Sequence, residues 1–389
     1  MAIHEFPHKK EVQEDAVPTV SVILPVCRSV HTLRETIDSV LQQEYDAWEL
    51  LIIIGRDISA DGAGLVGHYA GTDGRIRVIE APPPSRTSFF LNTGFRESKG
   101  KYIAIVTGDS VSDARRLGTQ VAYMEGKEEV GVTQFYRRCF DGGGKSYIHR
   151  PPVSAEAMRT KLLFFNEVCL STVMIRKSVL DAHKLLFRPE AKSAEYDFWV
   201  RMSEVTALET IPMIYGASLV DALPPIDPVD EGAHEEMCGI VAARLREDFE
   251  LEVPPENLYM LGCGENVFSG VEPDRKPEAV EALQDILFDS WKINILLKNY
   301  PEEDLVTVMA AKWRWAVHGE SWLGDERVSL IRHALELKRS HVEMEKIYLF
   351  VVKKCLSVWH KLRCRLDEKK TQHLAEIIRN ASGNPKPHQ

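Results

Sequence analysis

The sequence predicts an α/β protein with a mostly parallel sheet, followed by a mainly helical C-terminal region. Three observations carry this. The runs Val20 to Val26 (VSVILPV) and Trp48 to Ile54 (WELLIII) are continuously apolar and β-branched, the pattern of strands buried on both faces. Between them Leu33, Ile37, Val40 and Leu41 recur at helical spacing, which makes strand, helix and strand a right-handed βαβ unit. Beyond Val220 the composition changes: residues 221–232, DALPPIDPVDEG, are proline-rich and acidic, and helical patterns dominate afterwards. The expected organisation is a tail over 1–17, an α/β domain over 18–222 and a mainly helical domain over 223–389.

Each element follows in order. Val20 to Val26 is the first strand, which Pro25 should close because it lacks a ladder donor. An amphipathic helix spans Val30 to Gln43, then the second strand ends at Ile54. A third strand, Arg75 to Glu80, leads into the loop APPPS and a helix over Phe89 to Lys99. Tyr102 to Val106 is the fourth strand; it breaks at Thr107-Gly108-Asp109-Ser110, and helical spacing resumes through Leu117, Val121 and Met124. Gly131 to Phe140 and Lys145 to Arg150 read as strands joined by a glycine tip. Ser171 to Ile175 and Ile211 to Tyr215 are short strands, and Lys177 to Lys184 and Glu195 to Met202 are helical. Further helices are expected at about 233–250, 277–299, 302–318 and 325–370.

Composition narrows the function. The chain has 389 residues, 44% of them hydrophobic and 27% charged, enough for two domains with real cores. A formal charge of -10 argues against a general nucleic-acid binder. No apolar run is long enough to span a bilayer, and the N-terminal residues lack the apolar core of a signal peptide. The seven cysteines are scattered without a Cys-x-x-Cys pair, so free thiols in a reducing cytoplasm are expected rather than a zinc site.

Three stretches carry candidate chemistry. Gly62-Ala63-Gly64-Leu65-Val66-Gly67 spells a dinucleotide fingerprint, with Glu80 where a ribose-binding acid belongs. The polar residues Gly55 to Asp61 intervene between strand and glycines, however, and the following helix should be very short, so a nicotinamide dehydrogenase is the weaker reading. Asp57 follows the second strand directly, beside the first strand's end at Pro25-Val26-Cys27-Arg28. There it either accepts a hydrogen bond from a uracil imino group or ribose hydroxyl, or closes an Asx-turn, the reading favoured for Asp61. Asp109 ends the fourth strand, at the sheet mouth where open α/β sheets hold ligands and metals; the competing reading is a cap on the next helix.

The ordered set VSVILPV, SVLQQEY, ELLIIIGRDISADG, RIRVIE, LNTG, KGKYIAIVTGDSVSDARRL, STVMIRKSVL and AEYDFWVRM resembles glycosyltransferase family 2 over roughly residues 19–220. The resemblance implies a GT-A fold and inverting transfer of a sugar from a nucleotide-sugar donor, with UDP the expected nucleotide. It implies that Asp57 contacts the base, that Asp109 holds a divalent metal, Mn²⁺ or Mg²⁺, and that Glu195 is the general base. Pro25, Cys27, Arg28, Arg86, Asn92 and Gly108 join the nucleotide-binding set. Arg56, Ile58, Thr107, Cys27, Arg28 and Ala194 stand where the family carries other residues. Glu195 also reads as a helix-start acid favoured by the dipole, and Asp197 with Arg201 as a structural i,i+4 pair. The expected setting is polysaccharide or glycoconjugate assembly, cytoplasmic or peripheral at the inner face of the membrane, with a glycan or glycoconjugate acceptor. The rival, motivated by the missing acids at Arg56 and Thr107, is a non-catalytic nucleotide-sugar or glycan-binding module.

The C-terminal region leaves alternatives open. Tyr348, Val351, Cys355, Val358 and Leu362 form an apolar stripe on a helix with a basic face. It either packs on its own domain or meets an anionic membrane surface or a second subunit as a homo-oligomer. Trp313, Trp315 and Trp322 serve either the core or a sugar platform.

Overall fold

The computed structural model describes residues 17–26, 32–83, 86–140, 145–219, 232–262 and 276–317. The N-terminal half runs β1 (Val20–Val26), α1 (Leu33–Leu41), β2 (Trp48–Ile54), α2 (Ala60–Thr72), β3 (Ile76–Glu80), α3 (Thr87–Glu97) and β4 (Tyr102–Ile105). Next come β5 (Ser110–Ser112), α4 (Arg116–Glu125), β6 (Val130–Phe140), β7 (Ser146–His149), α5 (Ala155–Lys161) and β8 (Met174–Arg176). The remainder is α6 (Lys177–His183), α7 (Ala194–Val205), β9 (Ala207–Leu219), α8 (Ala233–Phe249), α9 (Lys276–Leu297) and α10 (Glu302–Val317).

One nine-stranded sheet holds these strands in the order β3-β2-β1-β4-β8-β6-β9-β5, with β7 beside β6. The first four are parallel, as their continuous apolar runs require. Every residue of β1 is buried; Val20, Val22, Leu24 and Val26 share a core cluster with Leu33, Ile37 and Val40 of α1, and α3 packs on β1 as well. α3 sits so close that a Cβ on Gly94 would come within 2.6 Å of the Ile23 side chain. The parallel character belongs to this half alone. β8 inserts antiparallel to both β4 and β6, β5 and β7 also pair antiparallel, and only β9 adds a further parallel pairing.

Several elements depart from the sequence expectation. Helix α2 is a full 13 residues and contains the whole Gly62–Gly67 motif, so these glycines form no phosphate turn. Ser59 caps the helix by accepting from Gly62 N at 3.1 Å, and Asp61 lies in the first turn instead of forming an Asx-turn. Strand β9 runs from Ala207 to Leu219, well beyond Ile211 to Tyr215, because register shifts against β6 break the alternation that a strand normally shows in sequence. β5 and α5 are additional, each too short to leave a periodic signal.

Gly64 and Gly67 face open space, where an added Cβ meets nothing within 4 Å. Gly64→Ala and Gly67→Ala should each stabilise the protein by about 0.5–1 kcal/mol by reducing the freedom of the unfolded chain. Urea denaturation of the two variants checks this, and a loss of stability at either position would contradict a helix here.

The helices beyond residue 232 pack on what precedes them within one compact unit, Met1–Ala316. Ser193 Oγ donates to Ala233 O at 2.7 Å, and Arg159 on α5 reaches Asp248 on α8 at 3.3 Å. Trp313 is buried in α10. Trp315, Trp322 and the helix expected over 325–370 lie outside the described residues or side chains. Among the described residues no helix is long and apolar enough to cross a membrane. The described cysteines, Cys139, Cys169 and Cys238, are free and buried.

Candidate active site

The strand order reverses between β1 and β4, because the chain builds outward from β1 to β2 and β3 and then returns to β1's other side. In open α/β sheets ligands bind beyond the carboxyl ends of the strands at such a point. The two strands also part there. Val20 N donates to Ala47 O on the β2 side, whereas Ile23 O accepts from Val106 N on the β4 side. Alternation then turns Pro25's nitrogen toward β4, past Ile23 and Ile105, the last pair of that ladder. The proline therefore sacrifices no β4 hydrogen bond, and the strand continues to Val26. Cys27 and Arg28, the next candidates, lie outside the described residues.

Asp57 follows β2 and Asp109 follows β4, so they flank the end of β1 on the same edge. Both are exposed. Asp109 does not cap a helix: β5 follows directly, and α4 starts only at Arg116. Ser110 Oγ closes the turn by accepting from Thr107 N and donating to Thr107 O, at 3.1 and 2.8 Å. Gly108 lies in this turn, and its carbonyl accepts from Thr32 Oγ1 at 2.5 Å.

A polar stripe on α1 carries the turn, and the sequence reading missed it. Thr32, Thr36, Ser39 and Gln43 recur at steps of three and four, beside the apolar stripe that packs on the sheet. Thr36 Oγ1 donates to Ser110 O at 2.8 Å, Ser39 Oγ accepts from Ser112 N at 3.1 Å, and Gln43 donates to Asp113 O at 2.8 Å and accepts from Leu117 N at 3.0 Å. Beneath it Arg116 is fully buried and donates to Ile105 O, Val173 O, Ser112 Oγ and Gln120 Oε1 at 2.9–3.1 Å. Burial pulls this guanidinium down to about 9. These contacts fix the end of β4 and the start of β5, and so the backbone of Asp109.

Topology allows Glu195 to reach the same edge. β6 runs with β4, since each is antiparallel to β8, and β9 starts at Ala207 opposite Val130, the first residue of β6. α7 ends just before that start. Its 12 residues rise about 18 Å, a length sufficient to span the sheet from there to the edge where β4 ends. The half-buried Glu195 lies in its first turn. Asp197 is buried and held by Arg201 at 2.6 Å and Arg188 at 2.8 Å, the structural pair expected with a second arginine added.

Asn92 is 3% exposed and donates to Phe187 O at 2.8 Å while accepting from Phe187 N at 2.9 Å. In this structure it clips the segment leading into α7 onto α3. Phe187 then stacks on Phe198 of α7, with centroids 4.0 Å apart. Arg86 is exposed just before α3, beyond the end of β3 and on the same edge as the acids. Arg56 turns sideways to Glu80 at 2.7 Å. Among the described residues no group of three or more His, Cys, Asp or Glu side chains is arranged to hold a metal. Asp109 is the described carboxylate at this turn, and Mg²⁺ or Mn²⁺ can be held by one or two protein carboxylates when substrate phosphates and water complete the shell.

Similarity to known proteins agrees with this architecture. The sequence profile of glycosyl transferase family 2 matches residues 21–184. EpsE of Bacillus subtilis (strain 168), a protein named as a glycosyltransferase, is 31% identical over 195 residues, which cover 48% of this chain and 67% of EpsE. The poly(ribitol-phosphate) beta-N-acetylglucosaminyltransferase TarP of Staphylococcus aureus (strain N315) is 28% identical over 45% of this chain and 54% of TarP. The chain thus spans between about half and two thirds of these curated relatives. Among solved structures, S. aureus TarS 1–349 in complex with UDP superposes with a TM-score of 0.51 at 15% identity, covering 76% of this chain and 91% of that one. That likeness concerns the fold, which is GT-A-like here as there. With strands, switch point and profile all coinciding over the N-terminal half, the chain belongs to glycosyl transferase family 2.

Proposed function

We propose that this chain transfers a sugar, with inversion, from a uridine diphosphate donor to a hydroxyl of a glycan or glycoconjugate acceptor. The observation that carries the reading is that Asp57 and Asp109 directly follow β2 and β4, on either side of β1 at the switch point; Glu195, in the first turn of α7, is read as reaching the same edge. Asp57 accepts from the uracil imino group or a ribose hydroxyl. Asp109 is the residue that would hold a divalent cation, which when bound neutralises charge developing on the leaving diphosphate. Glu195 takes the proton of the acceptor hydroxyl as it attacks the anomeric carbon from the face opposite the leaving group. Arg86, on the loop before α3, meets the diphosphate. EpsE and TarP, named for glycosyl transfer, support the class of reaction, and TarP's name supports a setting in polymer glycosylation.

Arg56, paired with Glu80, and Thr107 stand where the family carries acids, and they favour one rival, a binding module without turnover. Calorimetric titration of UDP with and without Mn²⁺, followed by an assay of UDP-sugar hydrolysis, separates the two. The transferase reading expects metal-dependent binding and slow product release. Metal-independent binding without product supports the module.

A further inference from the structure

The helix that carries Glu195 does not start on its own cap. Ser193 stands at the N-cap of α7, where a serine normally accepts from an N–H of the first turn. Here its side chain makes no such cap bond. The buried Ser193 Oγ donates instead to Ala233 O at 2.7 Å, and Ser193 N donates to Glu236 Oε2 at 2.5 Å. Both partners belong to α8, 40 and 43 positions further along the chain. Glu236 lies in the first turn of α8, so one carboxylate serves the starts of two helices. The approach is close: Gly232 precedes α8 at φ +96°, and a Cβ there would run into the Lys192 side chain.

A second observation concerns what holds each helix. α8 is anchored independently of α7: Met237, Val241, Leu245 and Phe249 are buried, and Arg244 donates to Tyr300 at 2.6 Å and to Asp248 at 3.0 Å. The body of α7 is held by other segments, through Tyr196 to Leu162 O at 2.8 Å and Asp197 to Arg188 at 2.8 Å. Residue 193 is thus tied to α8, and residues 196 and 197 to the chain that precedes α7. Glu195 lies between these two sets of ties.

We propose that Glu236 is a positioning residue for Glu195: by holding the N–H of Ser193 it sets the first turn of α7 and so the place of the carboxylate two residues on. This rests on the transferase reading, in which Glu195 takes the acceptor's proton. A general base must come within hydrogen-bond reach of that proton, about 2.6–3.2 Å, and a misplacement of about 1 Å can cost about 10²-fold in rate. Ser193 and Glu236 both lie beyond residues 21–184, the part that matches the family profile. The region after residue 232 therefore acts on turnover through α7.

Two mild variants separate reach from charge. Glu236→Asp keeps the charge but falls a methylene short of Ser193 N, whereas Glu236→Gln gives up the charge and keeps an oxygen at that reach. The readouts are UDP release from UDP-glucose and UDP-N-acetylglucosamine with Mn²⁺, UDP affinity by calorimetry, and amide hydrogen exchange along α7. Glu236→Asp should lower kcat about tenfold or more, leave UDP affinity at the wild-type value and speed exchange in residues 193–196. Glu236→Gln should retain most of the wild-type kcat. In a Glu195→Gln background, Glu236→Asp should lower kcat no further, because the two residues act as a unit. The reverse order, with Gln impaired and Asp normal, makes Glu236 a helix-dipole charge and overturns the proposal. So does wild-type kcat in both variants, or a full further loss in the Glu195→Gln background. Wild-type turnover in Glu195→Gln removes the base itself and the proposal with it. Wild type that releases no UDP sinks the transferase reading; exchange then decides the tie to α8, which stands if Glu236→Asp loosens residues 193–196 and falls if it does not.

Discussion

Glu195→Gln is expected to lower kcat by about 10²–10⁴-fold, the usual contribution of a positioned general base, while leaving UDP affinity close to wild type. The substitution preserves size and removes the carboxylate that takes the acceptor's proton. The helix beneath it should not move. Tyr196 donates to Leu162 O at 2.8 Å, Asp197 is held by two arginines, and Phe198 stacks on Phe187. A role confined to the helix dipole predicts something different: a stability loss of about 0.3–1 kcal/mol and no change in turnover. Steady-state kinetics alongside urea denaturation separates these outcomes. Normal turnover with lower stability would remove Glu195 from the chemistry.

Arg116→Met is expected to destabilise the protein by about 3–5 kcal/mol, the range for breaking a buried charged network. Two effects oppose each other. Removing a fully buried cation relieves its desolvation, which is what drags its pKa down to about 9. Against this, Ile105 O, Gln120 Oε1 and the half-buried Ser112 Oγ each lose a donor, and each buried acceptor left unpaired costs about 1–3 kcal/mol. Val173 O is spared because Ile105 N also donates to it. The lost bonds outweigh the relief. Because Arg116 ties the end of β4 to β5, the same variant should also weaken metal-dependent UDP binding. Chemical denaturation reads the first effect; a change below about 1 kcal/mol would mean that the cation is not buried as described.

The parallel half of the fold was legible because strands buried on both faces leave unbroken apolar runs. Trp48–Ile54 is read to the residue for that reason, and the exposed ends of α1 and α3 less well. Asp57 and Asp109 stand out because each follows such a run directly. The other parts of the site depend on distant partners. Whether Glu195 reaches the same edge is decided by β8 inserting antiparallel between β4 and β6, a pairing that no local pattern records. Arg116 reads in sequence as one more surface cation on an amphipathic helix, since the carbonyls that satisfy it come from residues 105 and 173. Asn92 is visible as a polar residue within a helix, but its engagement with Phe187 spans 95 positions. The α1 stripe was the recoverable signal: four uncharged polar side chains at helical spacing beside an apolar face mark a helix buried on two sides.

The claim on which the rest depends is that one edge of this sheet binds a nucleotide diphosphate between the carboxylates after β2 and β4. Titrating UDP into wild type, Asp57→Ala and Asp109→Ala, each with and without Mn²⁺, tests it most directly. Wild type should bind only with the metal, Asp109→Ala should lose the metal's benefit, and Asp57→Ala should keep the metal dependence but bind about tenfold more weakly for want of the base contact. Equal, metal-independent affinity in all three proteins would contradict it.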